Sequence, residues 1–274
     1  MNYRHAFHAG NFADLVKHGV LTALMKALAA EGGPLTVIDT HSGAGAYDLT
    51  GEMSRRSGEA AAGVFRLMAA QDSPPAFDAL KGAVAAMNKG GEVVIYPGSP
   101  LLVAKALRPE DRYFACELRQ DDHETLRETL KPFRMAEALN TDGYAAAFDR
   151  TPGKGRAFVL IDPPFERGDD YQQIARCIGS VRRKNPGTTA AAWVPLKDLE
   201  TLDRFLRELE DEADTSLLVA ESRLRPLNDP MKMNGCAMVM VGAPDAVVEP
   251  AMEICRWVAE RLGDAGGEAR IWRT

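Results

Sequence analysis

The sequence predicts an α/β fold: a mainly parallel seven-stranded sheet with one antiparallel strand, covered by helices on both faces and carrying a small helical insertion. Three observations predict it. Beyond residue 91, short apolar runs alternate regularly with amphipathic helical patterns, as expected of strands buried on both faces. The runs at 216–222 and 236–242 are joined by a Pro-containing segment with no helical period, so this pair is expected to be antiparallel. Residues 48–91 interrupt the alternation with Ala-rich helical stretches.

In chain order, "NFADLVKHGVLTALMKALAAEGGP" opens with Asn11 as a helix cap and Asp14 three residues on. It carries Phe12, Leu15, Val16, Val20, Leu24 and Leu28 at helical spacing and stops at Gly-Gly-Pro. A short strand at 35–39 then runs into the Gly-rich turn "HSGAG". The insertion reads as two helices, the second starting at Ser73-Pro74. Strands follow at 92–96, where the pattern is weakest, and at 112–118, 136–140, 157–162, 189–195, 216–222 and 236–242. Helices fall near 100–107, 120–131, 143–149, 170–184 and 198–212; the last places Leu199, Leu202, Phe205, Leu206 and Leu209 on one stripe. With no linker and no repeat, residues 1–274 read as one domain with an insertion at about 48–91. A parallel sheet closed by an antiparallel hairpin is the arrangement of Rossmann-like class I methyltransferases that use S-adenosylmethionine (SAM), although fold alone leaves function open.

Bulk properties narrow the class. With 46% hydrophobic residues in 274, the chain can bury a full core. The sequence contains no apolar run near the roughly 20 residues of a membrane-spanning helix and no leader pattern at its start, so a cytoplasmic protein is expected. Cys116, Cys177, Cys236 and Cys255 are scattered, without metal-ligand spacing, and are expected to be reduced packing residues with no metal. A net charge of −6 is the wrong sign for binding nucleic acid over the whole surface. Any such partner must meet a local patch drawn from Tyr3, Arg4, His5, His8, Lys17 and His18, Arg55 and Arg56, "VRRK" at 181–184, or Arg223, Arg225 and Lys232.

Parallel sheets bind ligands past the carboxyl ends of their strands. Asp39, Glu117, Asp142 and Asp162 all sit there. Each alone reads more readily as a cap or turn residue, but four together mark a cleft. Glu117 suits the ribose hydroxyls of a nucleoside cofactor, and Asp142 in "NTDG" an adenine amine. The run "VLIDPPFERG" carries the chemistry. Neither Pro163 nor Pro164 has an N–H, so Asp162 and the adjacent carbonyls form an acceptor-rich surface suited to a substrate NH2 group. Accepting both amine protons localises the nitrogen lone pair toward an incoming methyl, and Phe165 would stack on the base. This pattern of Asp or Asn, two prolines and an aromatic residue defines amino-methyltransferases without choosing among adenine, cytosine, guanine or glutamine substrates.

The stretch "YRHAFHAGNFADLVKH" at 3–18, followed in order by "DTHSGAG", "YPGSP", "CEL", "TDGY", "LIDPPF" and "NGCAMVMV", resembles the bacterial 23S rRNA adenine-N6 methyltransferases of the RlmJ type over essentially the full length. The resemblance implies SAM as cofactor, 23S rRNA not yet assembled into ribosomes as substrate, and N6-methyladenosine as product; nothing in the chain demands a dimer, so a monomer is expected. It implies cofactor contacts at His18, His41, Ser99, Glu117, Asp142, Gly143 and Asp162, catalysis by Asp162 with Pro163 and Phe165, and substrate contacts at Tyr3, Lys17 and Phe165. Phe165 departs from the family, where tyrosine is common, and loses a phenol hydroxyl; Ser42 stands where a small residue is usual. Rival readings are a guanine-N2 rRNA methyltransferase, a glutamine methyltransferase, which usually has Asn in place of Asp162, and a non-catalytic SAM- or RNA-binding partner subunit, which has no need of an intact acceptor set.

Overall fold

The computed structural model describes residues 7–229 and 231–274. Tyr3, Arg4 and His5 lie outside the described residues. Helix α1 (Phe12–Ala30) begins as its sequence requires: the Asn11 side chain accepts a hydrogen bond from the Asp14 N–H. Strand β1 (Leu35–Asp39) follows, with β4 (Arg112–Cys116) and β5 (Ala136–Leu139) on one side and β6 (Arg156–Ile161) and β7 (Thr188–Leu196) on the other, all parallel. The order therefore reverses between β1 and β6, which is where doubly wound sheets open a ligand cleft.

Strands β8 (Leu217–Arg223) and β9 (Gly235–Val241) form the expected antiparallel pair, with β9 inserted between β7 and β8. The sheet has eight strands among the described residues rather than seven, because β10 (Glu268–Arg273) adds antiparallel to β8 at the edge. Two strands, β9 and β10, thus oppose the rest. The run "EARIWR" alternates charged and apolar residues, so it lacks the continuous apolar signature of the inner strands. Helix α11 (Val248–Leu262), also absent from the sequence reading, leads into it.

Helices cover both faces. One core packs α1, α11, α6 (Ser99–Ala106) and α7 (Gln120–Leu130) on the sheet; the other packs α8 (Gly143–Arg150), α9 (Asp170–Lys184) and α10 (Leu199–Ala213). All four cysteines are buried and unbridged.

The expected strand at 92–96 does not join the sheet. Instead β2 (Ala46–Asp48) and β3 (Ile95–Pro97) form a separate antiparallel ribbon at the neck of the insertion. Beyond that neck the chain makes α2 (Glu52–Ser57), α3 (Glu59–Ala62), α4 (Val64–Ala69) and α5 (Asp78–Met87). The first expected helix, at 57–71, is split at Gly63 into α3 and α4, and α2 lies ahead of it, ending at Gly58. Val64, Leu67, Phe77, Leu80 and Val84 from the insertion are buried in the same core as α1.

Candidate active site

A cavity of about 620 Å³ opens at the β1–β6 reversal. It is lined by residues from the turn after β1, the end of β4, the start of α8, the turn after β6 and the amino-terminal half of α1. His18, His41, Ser99, Glu117, Asp142, Gly143, Asp162, Pro163, Phe165 and Lys17 line this one cleft, whereas Asp39, the fourth acidic strand end expected there, does not.

The β1 side is built around Asp39, which is fully buried and faces no ligand. Its Oδ2 accepts from Ser99 Oγ at 2.7 Å and from the Tyr113 hydroxyl at 3.2 Å, and its Oδ1 from the His41 N–H at 3.4 Å. Burial pushes its carboxyl up to about 6, against the stabilising Ser99 bond. Asp39 therefore shapes the turn that carries His41. Ser99 is the first residue of α6, with Gly98 in the cap position, and its hydroxyl serves Asp39. Burial holds the His41 imidazole down to about 4, so the ring is neutral at pH 7.

Glu117, just past β4, is held by two main-chain donors: Gly43 N–H reaches Oε2 at 3.0 Å and Arg119 N–H reaches Oε1 at 2.7 Å. Beside it Leu118 is exposed in the cleft wall, an apolar surface of the sort a ring covers. Asp142 caps α8 by accepting from the Ala145 N–H at 3.0 Å. Gly143 begins that helix, and a Cβ there would lie 1.9 Å from the Thr40 carbonyl, so α8 approaches the β1 turn closely only because residue 143 has no side chain. The Tyr144 hydroxyl is buried in the wall without a hydrogen-bond partner among the described residues, and its ring meets His41 edge-on at 5.1 Å. Such an atom calls for a polar ligand group.

On the β6 side, Lys17 Nζ lies 2.7 Å from Asp162 Oδ2 and 3.0 Å from Asp14 Oδ1. Pro163, next to Asp162, is buried. Phe165 has φ 51°, left-handed backbone that a bulky residue rarely adopts. Its ring is set there by Tyr171 at 5.0 Å and Trp193 at 5.8 Å between centroids. His18 Nδ1 contacts the Tyr96 hydroxyl at 2.8 Å.

Sequence reading missed Leu118, Tyr144, Trp193, Lys197 and Met233 as wall residues. Leu118 and Tyr144 directly follow predicted site residues, which was a usable signal; Trp193, Lys197 and Met233 arrive from the far strands and had none. The basic clusters also separate. Arg182, Arg183 and Lys184 end α9, whose Asp170 and Gln173 line the cleft, so nine to eleven residues of helix beyond Gln173 place them about 14–17 Å further along it. They bond to the Thr188 carbonyl, Glu212 and the Phe148 carbonyl. Arg223 pairs with Glu221, Arg225 with Asp264 and Lys232 with Asp229. Among the described residues, the lysines and arginines that line the cleft are Lys17, Arg119, Arg167 and Lys197.

A cleft of nucleoside size, with carboxylates at Glu117, Asp142 and Asp162 and an orphaned hydroxyl, matches the donor and acceptor set of SAM. Residues 32–274 match the family model described as ribosomal RNA large subunit methyltransferase D, RlmJ. The chain belongs to this family. It is similar to ribosomal RNA large subunit methyltransferase J of Escherichia coli, with 30% identity over 99% of this chain and 98% of that one. The corresponding protein of Haemophilus influenzae is 31% identical over 97% and 95% of the two chains. A crystal structure of a Legionella pneumophila protein superposes with a TM-score of 0.88 at 26% identity, covering 97% of this RlmJ-family chain and 98% of that one. The protein is thus a SAM-dependent methyltransferase.

Proposed function

We propose that this cleft transfers a methyl group from SAM to the N6 amine of one adenine in 23S rRNA. The observation that carries the reading is the Asp162-Pro163-Pro164-Phe165 turn at the end of β6, with its carboxylate held by Lys17 and its aromatic ring fixed beside the cleft. Glu117 would hold the ribose hydroxyls of SAM, Asp142 the adenine amine, and Leu118 the ring face, with His18, His41, Ser99 and Gly143 around the rest. SAM supplies an electrophilic methyl on its sulfonium. Asp162 and the Pro163 carbonyl accept the two N–H bonds of the target amine and aim its lone pair at that methyl. As the C–N bond forms, the methyl–sulfur bond breaks and its electron pair stays on sulfur, which leaves as a neutral thioether; the amine then carries an extra proton, which passes to Asp162 or to water. Phe165 stacks on the target base, a contact worth roughly 1–3 kcal/mol. Tyr3 completes the substrate side in this reading.

An adenine must leave its stack to enter so enclosed a cleft, which favours RNA not yet folded into a ribosome. Lys197 and Arg167 at the cleft would meet its phosphates, so the overall negative charge is no obstacle. We take the working form to be a cytoplasmic monomer; among the described residues no helix is long and apolar enough to cross a membrane. The test is to incubate the protein with labelled SAM and unmodified, protein-free 23S rRNA and to identify the labelled nucleoside by mass spectrometry. N6-methyladenosine at one site is expected. N2-methylguanosine would transfer the assignment to guanine, and no labelled nucleoside would overturn it.

A further inference from the structure

Residues 8–11 form a seam between the helical insertion and the helix that brings Lys17 to Asp162. Glu59, the first residue of α3, uses both carboxylate oxygens on this seam: Oε2 accepts from Asn11 Nδ2 at 2.8 Å, and Oε1 meets His8 Nδ1 at 2.9 Å. The same Asn11 caps α1 through its Oδ1, which accepts from the Asp14 N–H at 2.9 Å. One amide side chain therefore ties the insertion to the first turn of α1, and Asp14 in that turn holds Lys17. The backbones meet as well. Val64 N–H donates to the Gly10 carbonyl at 2.8 Å, and a Cβ on Gly63 would lie 2.1 Å from that carbonyl oxygen. His8 and Asn11 themselves line the cleft.

We propose that Glu59 is a positioning residue for methyl transfer, fixing His8 and the amino-terminal turn of α1 so that the substrate side of the cleft is set before RNA arrives. This rests on the reading of the cleft as an RNA methyltransferase site. It gives the insertion a role in catalysis distinct from any direct contact with RNA. The charge pattern agrees: the Glu59 hydrogen bond raises the His8 imidazole above its ordinary value, and burial of Glu59 is outweighed by its bonds to His8 and Asn11, which leave its carboxyl below the ordinary range. Ordered first-turn geometry matters because a misplacement of about 1 Å at a reacting group costs on the order of 100-fold in rate.

The test compares wild type with Glu59→Ala, Glu59→Gln and Glu59→Asp, using exposed Glu52→Gln in the same insertion as a charge control. Steady-state KM for 23S rRNA and for SAM, kcat and melting temperature are read for each. In Glu59→Ala the KM for RNA is expected to rise at least about tenfold while the KM for SAM stays within about twofold. Glu59→Gln keeps an oxygen for Asn11 and should fall between, Glu59→Asp should recover part of the loss, and Glu52→Gln should match wild type. A folded Glu59→Ala protein with an unchanged KM for RNA overturns the proposal; so does a parallel loss of both KM values with a lowered melting temperature, which would make Glu59 a stability residue only. Should wild type itself transfer no methyl to RNA, the proposed function fails, and filter binding of the same RNA by wild type and Glu59→Ala decides the inference separately: equal affinity rejects it, weakened affinity supports it.

Discussion

Lys17 Nζ and Asp162 Oδ2 meet at 2.7 Å across 145 residues of sequence, joining the first helix to the end of a central strand at the mouth of the cleft. Lys17 is 7% exposed and shares its charge with the nearly buried Asp14, so two carboxylates depend on one ammonium. Removing that ammonium takes the cation from both, and leaves Asp14 with the Gly10 N–H at 2.9 Å. Lys17→Met is expected to destabilise the fold by about 3 kcal/mol and to abolish detectable methyl transfer, whereas Asp162→Asn keeps the shape but presents an amide to both the lysine and the substrate amine. Asp162→Asn should lower kcat by at least about 100-fold with a smaller change in SAM affinity measured by calorimetry. Near-normal turnover in Asp162→Asn would remove Asp162 from the catalytic role.

Phe165 is expected to act through its ring alone. Phe165→Tyr adds only a hydroxyl at the ring edge and should retain activity within a few-fold of wild type, while Phe165→Ala loses the stack and the contacts to Tyr171 and Trp193. The alanine variant also relieves little of the strain at φ 51°, because that backbone disfavours any residue with a Cβ. A rise in the KM for RNA of about 10- to 100-fold is expected for Phe165→Ala, from a stacking loss of roughly 1–3 kcal/mol. Equal kinetics in the two variants would show that the ring does not touch the base.

Gly143 offers a test of the cofactor side. The Cβ of Gly143→Ala would sit 1.9 Å from the Thr40 carbonyl, a backbone atom that cannot swing aside, so α8 must back away from the β1 turn. Asp142 and Tyr144 move with it. The KM for SAM should rise by about tenfold or more, with the KM for RNA less affected and the melting temperature lowered. An unchanged KM for SAM would place the cofactor away from the start of α8.

How much of this was legible beforehand follows from what each signal depends on. The parallel strands, the capped first helix and the acidic strand ends were readable because buried strands and caps leave local patterns, as at "AFVLID" and Asn11. Strand β10 was not, since an edge strand with alternating charges looks like a loop, and the 92–96 run was given to the wrong sheet because pairing partners are not written in a five-residue pattern. Within the site, Asp162 and Glu117 could be placed at the cleft from their strands. The roles of Asp39 and Ser99 could not be read: whether a carboxylate faces a ligand or a buried serine depends on tertiary contacts alone. The same limit explains why the 181–184 cluster looked available for RNA, when α9 carries it to the far end of the sheet.

His41 predicts a pH dependence of stability. Burial brings its imidazole down to about 4 from an ordinary 6.5, opposed by the nearby Asp162 and Asp142 carboxylates. Because the folded value lies below the unfolded one, its contribution is fully present above pH 6.5 and is lost as pH falls toward 4. The loss is at most about 3 kcal/mol, and less in proportion to the solvent that reaches the partly exposed ring. His41→Gln has no proton to gain in that window. Chemical denaturation at pH 7 and pH 4.5 should therefore show a smaller acid-induced drop in unfolding free energy for His41→Gln than for wild type, by about 1–2 kcal/mol. Identical drops in the two proteins would mean that the His41 ring is solvated enough to titrate as it does in the unfolded chain, and that its neutral form is not imposed by the turn after β1.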